Sequence, residues 1–254
     1  MKFAVSTTIC KDSPLLDKLG DILYNNIHTI EVRTNQDHLP HSTLQEVRKV
    51  KAELRKRKMY VCAVHSPDKI DISSEDEWTR VYSVREVQKA ILVAYHLEAE
   101  ICVFHPGGKG KWEQTEKSIR EILEFGEEWG VIPVAETTAP GHIGGSVEDV
   151  QKLMDLFSTI RFCVDTGHTF LWGTDPAEVI EMLGDKVHHL HIDDNLGKED
   201  DHLIPGEGKI QWRRVKGALE HIGYTGFLVY ELMPAEDIRS RLEEAIRNFE
   251  EVFR

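Results

Sequence analysis

The chain has 254 residues, 41% of them hydrophobic and 30% charged, with a formal net charge of −13. Such a composition belongs to an ordinary globular protein long enough for a sizeable core, and it excludes low-complexity and disordered classes. The acidic balance disfavours indiscriminate nucleic-acid binding, which sets Lys and Arg against phosphates, although a local basic patch or bound cations reverse the field in a cleft.

In chain order, short apolar and β-branched runs alternate with longer stretches of helical periodicity. The opening, MKFAVSTTIC, reads as a strand without a cleavage site rather than as a signal peptide. Strands are predicted at Lys2–Ile9, Asn26–Val32, Tyr60–His65, Glu100–His105, Val131–Glu136, Ile160–Asp165, Val187–Ile192 and Phe227–Glu231. The clearest helix between them is Glu77–Leu97, with Val81, Val84, Val87, Ile91, Ala94 and Tyr95 at spacings of three and four. Ser13–Pro14 and Asp175–Pro176 read as N-cap and first-turn pairs. Gly20, Gly130, Gly184 and Gly223 end or interrupt helices, and a helix begins near Trp212.

No linker and no second compositional regime divides residues 1–254, so one domain is expected. Eight strand–helix units in this length predict an α/β fold, a (β/α)8 TIM barrel. The alternative, a doubly wound open sheet, calls for a Gly-rich phosphate loop after an early strand, and GxGxxG is absent. No run of about 18 apolar residues suggests a membrane span. Cys10, Cys62, Cys102 and Cys163 each lie alone in strand-like runs. That pattern suits buried, reduced thiols in a cytoplasmic protein.

Six consecutive predicted strands end in a residue able to bind metal or protons: His65, His105, Glu136, Asp165, His191 and Glu231. In a barrel these ends share the rim that carries the active site. Ala63, Val103, Val134 and Val229, two residues earlier, point inward and fill the interior. Singly, each rim residue has a blander reading: His65 a satisfied core histidine, Asp165 a cap for the turn after it, Glu136 an exposed charge. Together they differ, because carboxylates and imidazoles crowded on one rim repel or stay unpaired without cations. His168 in DTGH, and Asp200 and His202 in EDDH, join them, with Asp201 an alternative to Asp200. Mixed His and carboxylate ligation suits Zn2+, Mn2+, Co2+ or Fe2+ better than Ca2+.

The motifs VHSP (64–67), FHPG (104–107), AET (135–137), VDTGH (164–168), HLHIDDN (189–195), DDHLIPGEG (200–208) and YEL (230–232) occur in this order. Through them the chain resembles the xylose isomerase-like TIM-barrel superfamily, most strongly from Phe162 to Glu231. That superfamily holds sugar and sugar-phosphate isomerases and epimerases, and also the endonuclease IV repair enzymes. The resemblance implies a divalent metal (Zn, Mn, Co or Mg), one to three ions per chain.

In the isomerase and epimerase branch it implies one ion held by Glu136, Asp165, His191 and Glu231. Glu136 and Glu231 would double as the acid/base pair that moves a proton beside a carbonyl, through a metal-stabilised enediolate. His168 would touch a substrate hydroxyl, and Trp172 either packs on a sugar face or is an ordinary core residue. The partner is then a small-molecule sugar or sugar phosphate.

In the endonuclease IV branch the resemblance implies three zinc ions: one on His65, His105 and Glu136, one on Glu136, Asp165, His191 and Glu231, and one on His168, Asp200 and His202. The substrate would be abasic-site DNA. Departures weigh against that branch. Asp68 follows VHSP where the repair enzymes carry an aromatic, the chain is short, and the segment 33–44 bears His38 and His41 (His28 just before) rather than a basic wedge. A sugar-binding barrel without turnover is a third class. Apolar residues on helix faces leave room for a homodimer.

Other features have plain readings. Lys56, Arg57 and Lys58 close a helix on the face opposite the rim and complement its C-terminus. GHIGGS at 141–146 is a loop near the site, and the GEG turn offers backbone N–H groups to a phosphate.

Overall fold

Strands buried on both faces read as near-continuous apolar runs and belong in a parallel sheet covered by helices. The computed structural model, which describes residues 1–39 and 43–254, shows that arrangement closed into a ring. The strands are β1 (Lys2–Ser6), β2 (Thr29–Arg33), β3 (Tyr60–His65), β4 (Ile101–Phe104), β5 (Ile132–Glu136), β6 (Arg161–Asp165), β7 (Val187–Ile192) and β8 (Phe227–Tyr230). Each pairs in parallel with the next, and β8 pairs with β1, so the expected (β/α)8 TIM barrel is the fold. The outer ring consists of α1 (Leu15–Tyr24), α2 (Leu44–Lys56), α3 (Glu77–Leu97), α4 (Trp112–Trp129), α5 (Val147–Leu156), the short α6 (Thr166–Leu171), α7 (Pro176–Leu183), α8 (Trp212–His221) and α9 (Ile238–Phe253).

The main core lies between strands and helices. Outward residues such as Val5, Ile30, Val64, Phe104, Phe162, Leu190 and Tyr230 meet Leu19, Val50, Ile91, Ile119, Leu153, Val215 and Phe249 from the helices. Each such side chain, fully buried, contributes roughly 1.5–3 kcal/mol. Inward residues form two separate clusters, Ala63, Val103, Val134 and Cys163 in one and Ala4, Cys62 and Val229 in the other. The register skips one residue at Cys62 beside β2 and one at His188 beside β6. Such bulges re-aim the side chains next to them.

Several boundaries differ from expectation for local reasons. The first strand stops at Ser6, whose hydroxyl accepts from Thr8 N and starts a 3-10 turn, Thr7–Cys10. The second begins at Thr29, because Asn26 sits at φ +58. His105 and Glu231 lie one residue past β4 and β8. Pro14, not Ser13, holds the N-cap position of α1, without a side-chain cap, whereas Asp175 caps α7 as expected. Tyr95, expected on the apolar face of α3, is 50% exposed and packs its edge on Trp129. His41 lies outside the described residues. All four cysteines are free and buried, and burial pushes the Cys10 thiol up to about 12, against any role as a nucleophile. No helix among the described residues is long and apolar enough to cross a membrane.

Candidate metal centre

The loops after β3 and β4 are laced into one wall at the strands' C-terminal end. Gly108 N donates to Asp71 and Ser73, and Lys111 N donates to Ser73 O. Gly110 passes so close that a Cβ there would meet Ser73 O at 1.9 Å, hence the glycine. Behind this wall the site is built from histidines whose two nitrogens are differently employed. His65 Nδ1–H donates to Ser66 O (2.7 Å), His168 Nδ1–H to Thr137 O (2.9 Å) and His202 Nδ1–H to Glu231 O (3.1 Å). The free nitrogen of each then faces a carboxylate oxygen. His65 Nε2 is 2.8 Å from Glu136 Oε2, and His168 Nε2 and His202 Nε2 are each 3.1 Å from Asp200 Oδ2. His105 Nε2 is 3.0 Å from Glu136 Oε2.

A lone pair facing a carboxylate is repulsive unless a proton or a cation sits between them. The centre of the cluster repeats the pattern. His191 Nδ1 lies 2.9 Å from Glu231 Oε2, 3.3 Å from Glu136 Oε1 and 3.8 Å from Asp165 Oδ2. One ligand atom from each of Glu136, Asp165, His191 and Glu231 falls within 4.8 Å of the others, and all four residues are buried. Asp165 serves two ends at once: Oδ1 caps α6 by accepting from His168 N, while buried Oδ2 has no hydrogen-bond partner among the described residues. Glu231 Oε2 and Asp200 Oδ1 are likewise without one. Buried carboxylate oxygens left open beside imidazole lone pairs fit a divalent cation.

Electrostatics follows the geometry. Burial alone would raise Glu136 and Glu231, but His105 and His191 hold the first, and Arg33 and His191 the second, well below the usual carboxylate range. Asp165 goes the other way, pushed up by burial and the charge of Asp193. Burial would depress His191, yet Cys163, Glu31, Glu231 and Glu136 around it keep it well above the ordinary histidine value.

All nine rim residues singled out from the sequence join this continuous cluster: His65, His105, Glu136, Asp165, His168, His191, Asp200, His202 and Glu231. Asp200, not Asp201, takes part, since the Asp201 carboxylate accepts from Leu196 N instead. His202 adopts φ +46, a left-handed conformation costing a non-glycine residue roughly 1–2 kcal/mol. Two of the three GEG amides, expected to be offered to a ligand, are engaged within the chain, with Glu207 N on Ile204 O. Gly206 N, Lys209 N and Ile210 N donate to the Asp194 carboxylate, which also takes Trp212 Nε1. Trp172 is half-buried, with its indole N–H on Thr138 O.

Sequence reasoning missed several members, among them Asp193, whose Oδ2 lies 2.9 Å from His202 Nδ1. Arg33 ion-pairs with both Glu231 and Asp68, and Thr8 Oγ1 donates to Glu231 Oε1 at 2.9 Å. Glu31 and His189 lie beneath the cluster, 2.8 Å apart. An acid inside TIEVR was the available signal for Glu31, and the HxH spacing for His189. Ending strand two at Val32 left Arg33 outside the rim.

Beside the cluster opens a cavity of about 490 Å3, lined by Asp68, Ile70, His105, Lys109, Thr138 and His168 among others. The sequence model of the xylose isomerase-like TIM barrel family matches residues 25–252. The chain belongs to that family. Within it, fructoselysine 3-epimerase of Shigella flexneri is 27% identical over 169 residues, 62% of this chain and 61% of the relative. A probable endonuclease 4 of Thermoplasma volcanium is 29% identical over 163 residues, 58% of each chain. An uncharacterised protein of Methanocaldococcus jannaschii is 29% identical over 249 residues, 91% of this chain and 83% of its own. The crystal structure of a D-tagatose 3-epimerase-like protein superposes with a TM-score of 0.85 at 25% identity, covering 99% of this chain and 98% of that one.

Proposed function

We propose that this xylose isomerase-like barrel is a divalent-metal-dependent isomerase or epimerase of a sugar or sugar phosphate. One observation carries the reading: two buried glutamates, from β5 and from just past β8, converge on His191 Nδ1 beside a cavity of small-molecule size. Glu136, Asp165, His191 and Glu231 would hold the ion, and the open oxygens of Asp165 and Glu231 fit that role. The bound ion supplies positive charge for the sugar oxygens as negative charge develops on them.

The chain's own residues do the rest. Glu136 and Glu231 are kept ionised, so either can take a proton from the carbon beside a carbonyl and, once protonated, give it back to the substrate. Arg33 and Thr8 hold Glu231 through Oε1 and leave Oε2 turned to the cluster. His168, at the cavity wall, donates to or accepts from a substrate hydroxyl. Burial of the cluster excludes bulk water.

The test is proton exchange. In D2O, the metal-loaded protein should place deuterium beside the carbonyl of at least one member of a panel of ketoses and their phosphates. Glu231→Gln, folded and still metal-bound, should not. Exchange by that variant at the wild-type rate would remove Glu231 from the mechanism.

A specific observation favours a second reading. His65 and His105 on one side, and His168, Asp200 and His202 on the other, flank the central group as the trinuclear phosphodiesterase arrangement requires. About three zinc ions per chain together with cleavage of abasic-site DNA would establish that function instead.

A further inference from the structure

Neutral imidazole carries one N–H, so an acceptor at one nitrogen dictates that the other presents a lone pair. For His65 and His168 the acceptor is a backbone carbonyl, whereas His202 Nδ1 faces both Glu231 O at 3.1 Å and Asp193 Oδ2 at 2.9 Å. His191 differs. Its ring projects into the barrel, where neighbouring strand carbonyls are engaged in the parallel ladder, and its Nε2 meets a side chain, Glu31 Oε2, at 3.0 Å. Glu31 reaches it from β2, across the barrel from β7, and is 0% exposed.

The carboxylate is itself fixed in place. Oε1 accepts from Ser6 Oγ at 3.0 Å, and Oε2 also accepts from His189 Nε2 at 2.8 Å. His189 stands two residues before His191 and points to the same side of the strand. Cys163 lies in the same group, but its thiol is only a weak acceptor.

We infer that Glu31 is a positioning residue that fixes the ring and tautomer of His191, so that Nδ1 is the atom turned to Glu136, Asp165 and Glu231. The inference rests on the proposal that these four residues form a cation site, and it adds a carboxylate behind the histidine. A hydrogen bond to an ionised acceptor is shorter and stronger than one to a carbonyl. It also makes the opposite nitrogen a better donor to a metal, and losing such a partner typically weakens metal binding about 10–100-fold. His189 holds Glu31 from the same side and keeps its oxygen from turning away.

Two variants separate positioning from mere burial of a charge. Glu31→Gln keeps an acceptor oxygen where His191 needs it, and Glu31→Asp keeps the charge but withdraws it by one methylene. Chelator-stripped proteins are titrated with Co2+, read by visible absorption. The expected result is a loss of about tenfold or more in Co2+ affinity for Glu31→Asp, a shifted absorption band, and substantial recovery in Glu31→Gln. Equal affinities and bands in all three proteins would overturn the inference, even if both variants melt earlier. 15N-histidine NMR of the metal-free proteins reads the ring directly. Wild type should show a downfield, exchange-protected Nε2–H of His191 that Glu31→Asp loses, and its absence from wild type would also overturn the inference. A wild type that binds no Co2+ yet shows that proton would instead refute the metal site and leave the Glu31–His191 pairing standing.

Discussion

Arg33 and Glu231 meet at the barrel mouth as a buried ion pair, the guanidinium from the end of β2 lying against the carboxylate just past β8. The same guanidinium reaches Asp68 and Thr8, so one cation anchors a carboxylate of the cluster to the β3 loop. Burial alone would favour neutral Arg33, and the charges of Glu231 and Asp68 reverse that. Arg33→Met removes the guanidinium and leaves the buried Glu231 carboxylate with only Thr8 and His191 against it among the described residues. The metal-free protein should lose about 3 kcal/mol or more, and added Zn2+ should restore part of it by supplying a replacement charge. Urea melts with and without Zn2+ measure this. A variant as stable as wild type without metal would show that the pair contributes nothing.

Metal removal should itself be visible in stability. An ion that binds only the folded chain adds about 2.7 kcal/mol at a free concentration a hundred times its dissociation constant. Chelation should therefore lower the melting temperature and reloading with Zn2+ or Mn2+ should raise it. Elemental analysis of the reloaded protein gives the stoichiometry. A melting curve indifferent to both treatments would contradict a cation at Glu136, Asp165, His191 and Glu231.

His38 supplies a pH dependence away from the cluster. Its Nδ1–H donates to Ser13 O at 2.6 Å, and its buried Nε2 has no hydrogen-bond partner among the described residues. Burial holds it below the ordinary value of 6.5, with the Ser13 and Cys10 carbonyls opposing in part. The unfolded chain then takes up the proton first, so the contribution to stability is present above pH 6.5 and is lost as pH falls toward the folded value. His38→Gln should flatten that part of the stability–pH curve relative to wild type. Parallel curves for the two proteins would count against the assignment.

Asp194 ties down the loop that carries Asp200 and His202. Its two oxygens accept from Asn195 N, Gly206 N, Lys209 N, Ile210 N and Trp212 Nε1. Asp194→Ala strands those donors, at about 1–3 kcal/mol for each that water does not reach. Limited proteolysis should then cut within 196–210 in the variant and not in wild type. Equal resistance would mean that other contacts hold the loop.

The barrel and most of the cluster were legible in the residues because both rest on local periods. A strand alternates sides every residue and a parallel barrel sets strand ends on one rim, so a polar residue closing an apolar run marks the site wherever it occurs. His65, Glu136 and Asp165 stand at such positions and His191 one residue before the end of β7, and the interior layer of Ala63, Val103 and Val134 follows from the same alternation. The motif order indicated the family for a related reason, since each motif is a strand end with its loop.

What only the tertiary structure decided is which groups meet across the barrel. Glu31 of β2 touches His191 of β7, and Arg33 touches Glu231 next to β8, pairings that no periodicity along the chain encodes. Asp200 and Asp201 are equivalent as sequence, and the backbone of the loop turns one to the cluster and the other to Leu196 N. Two amides of the GEG turn were open donors in the sequence and are engaged in space, Gly206 N by Asp194 and Glu207 N by Ile204 O. Chain periodicity is set by the dihedral preferences of neighbouring residues, whereas the partner of a buried charge is set by ring closure, which brings together residues as far as 223 positions apart.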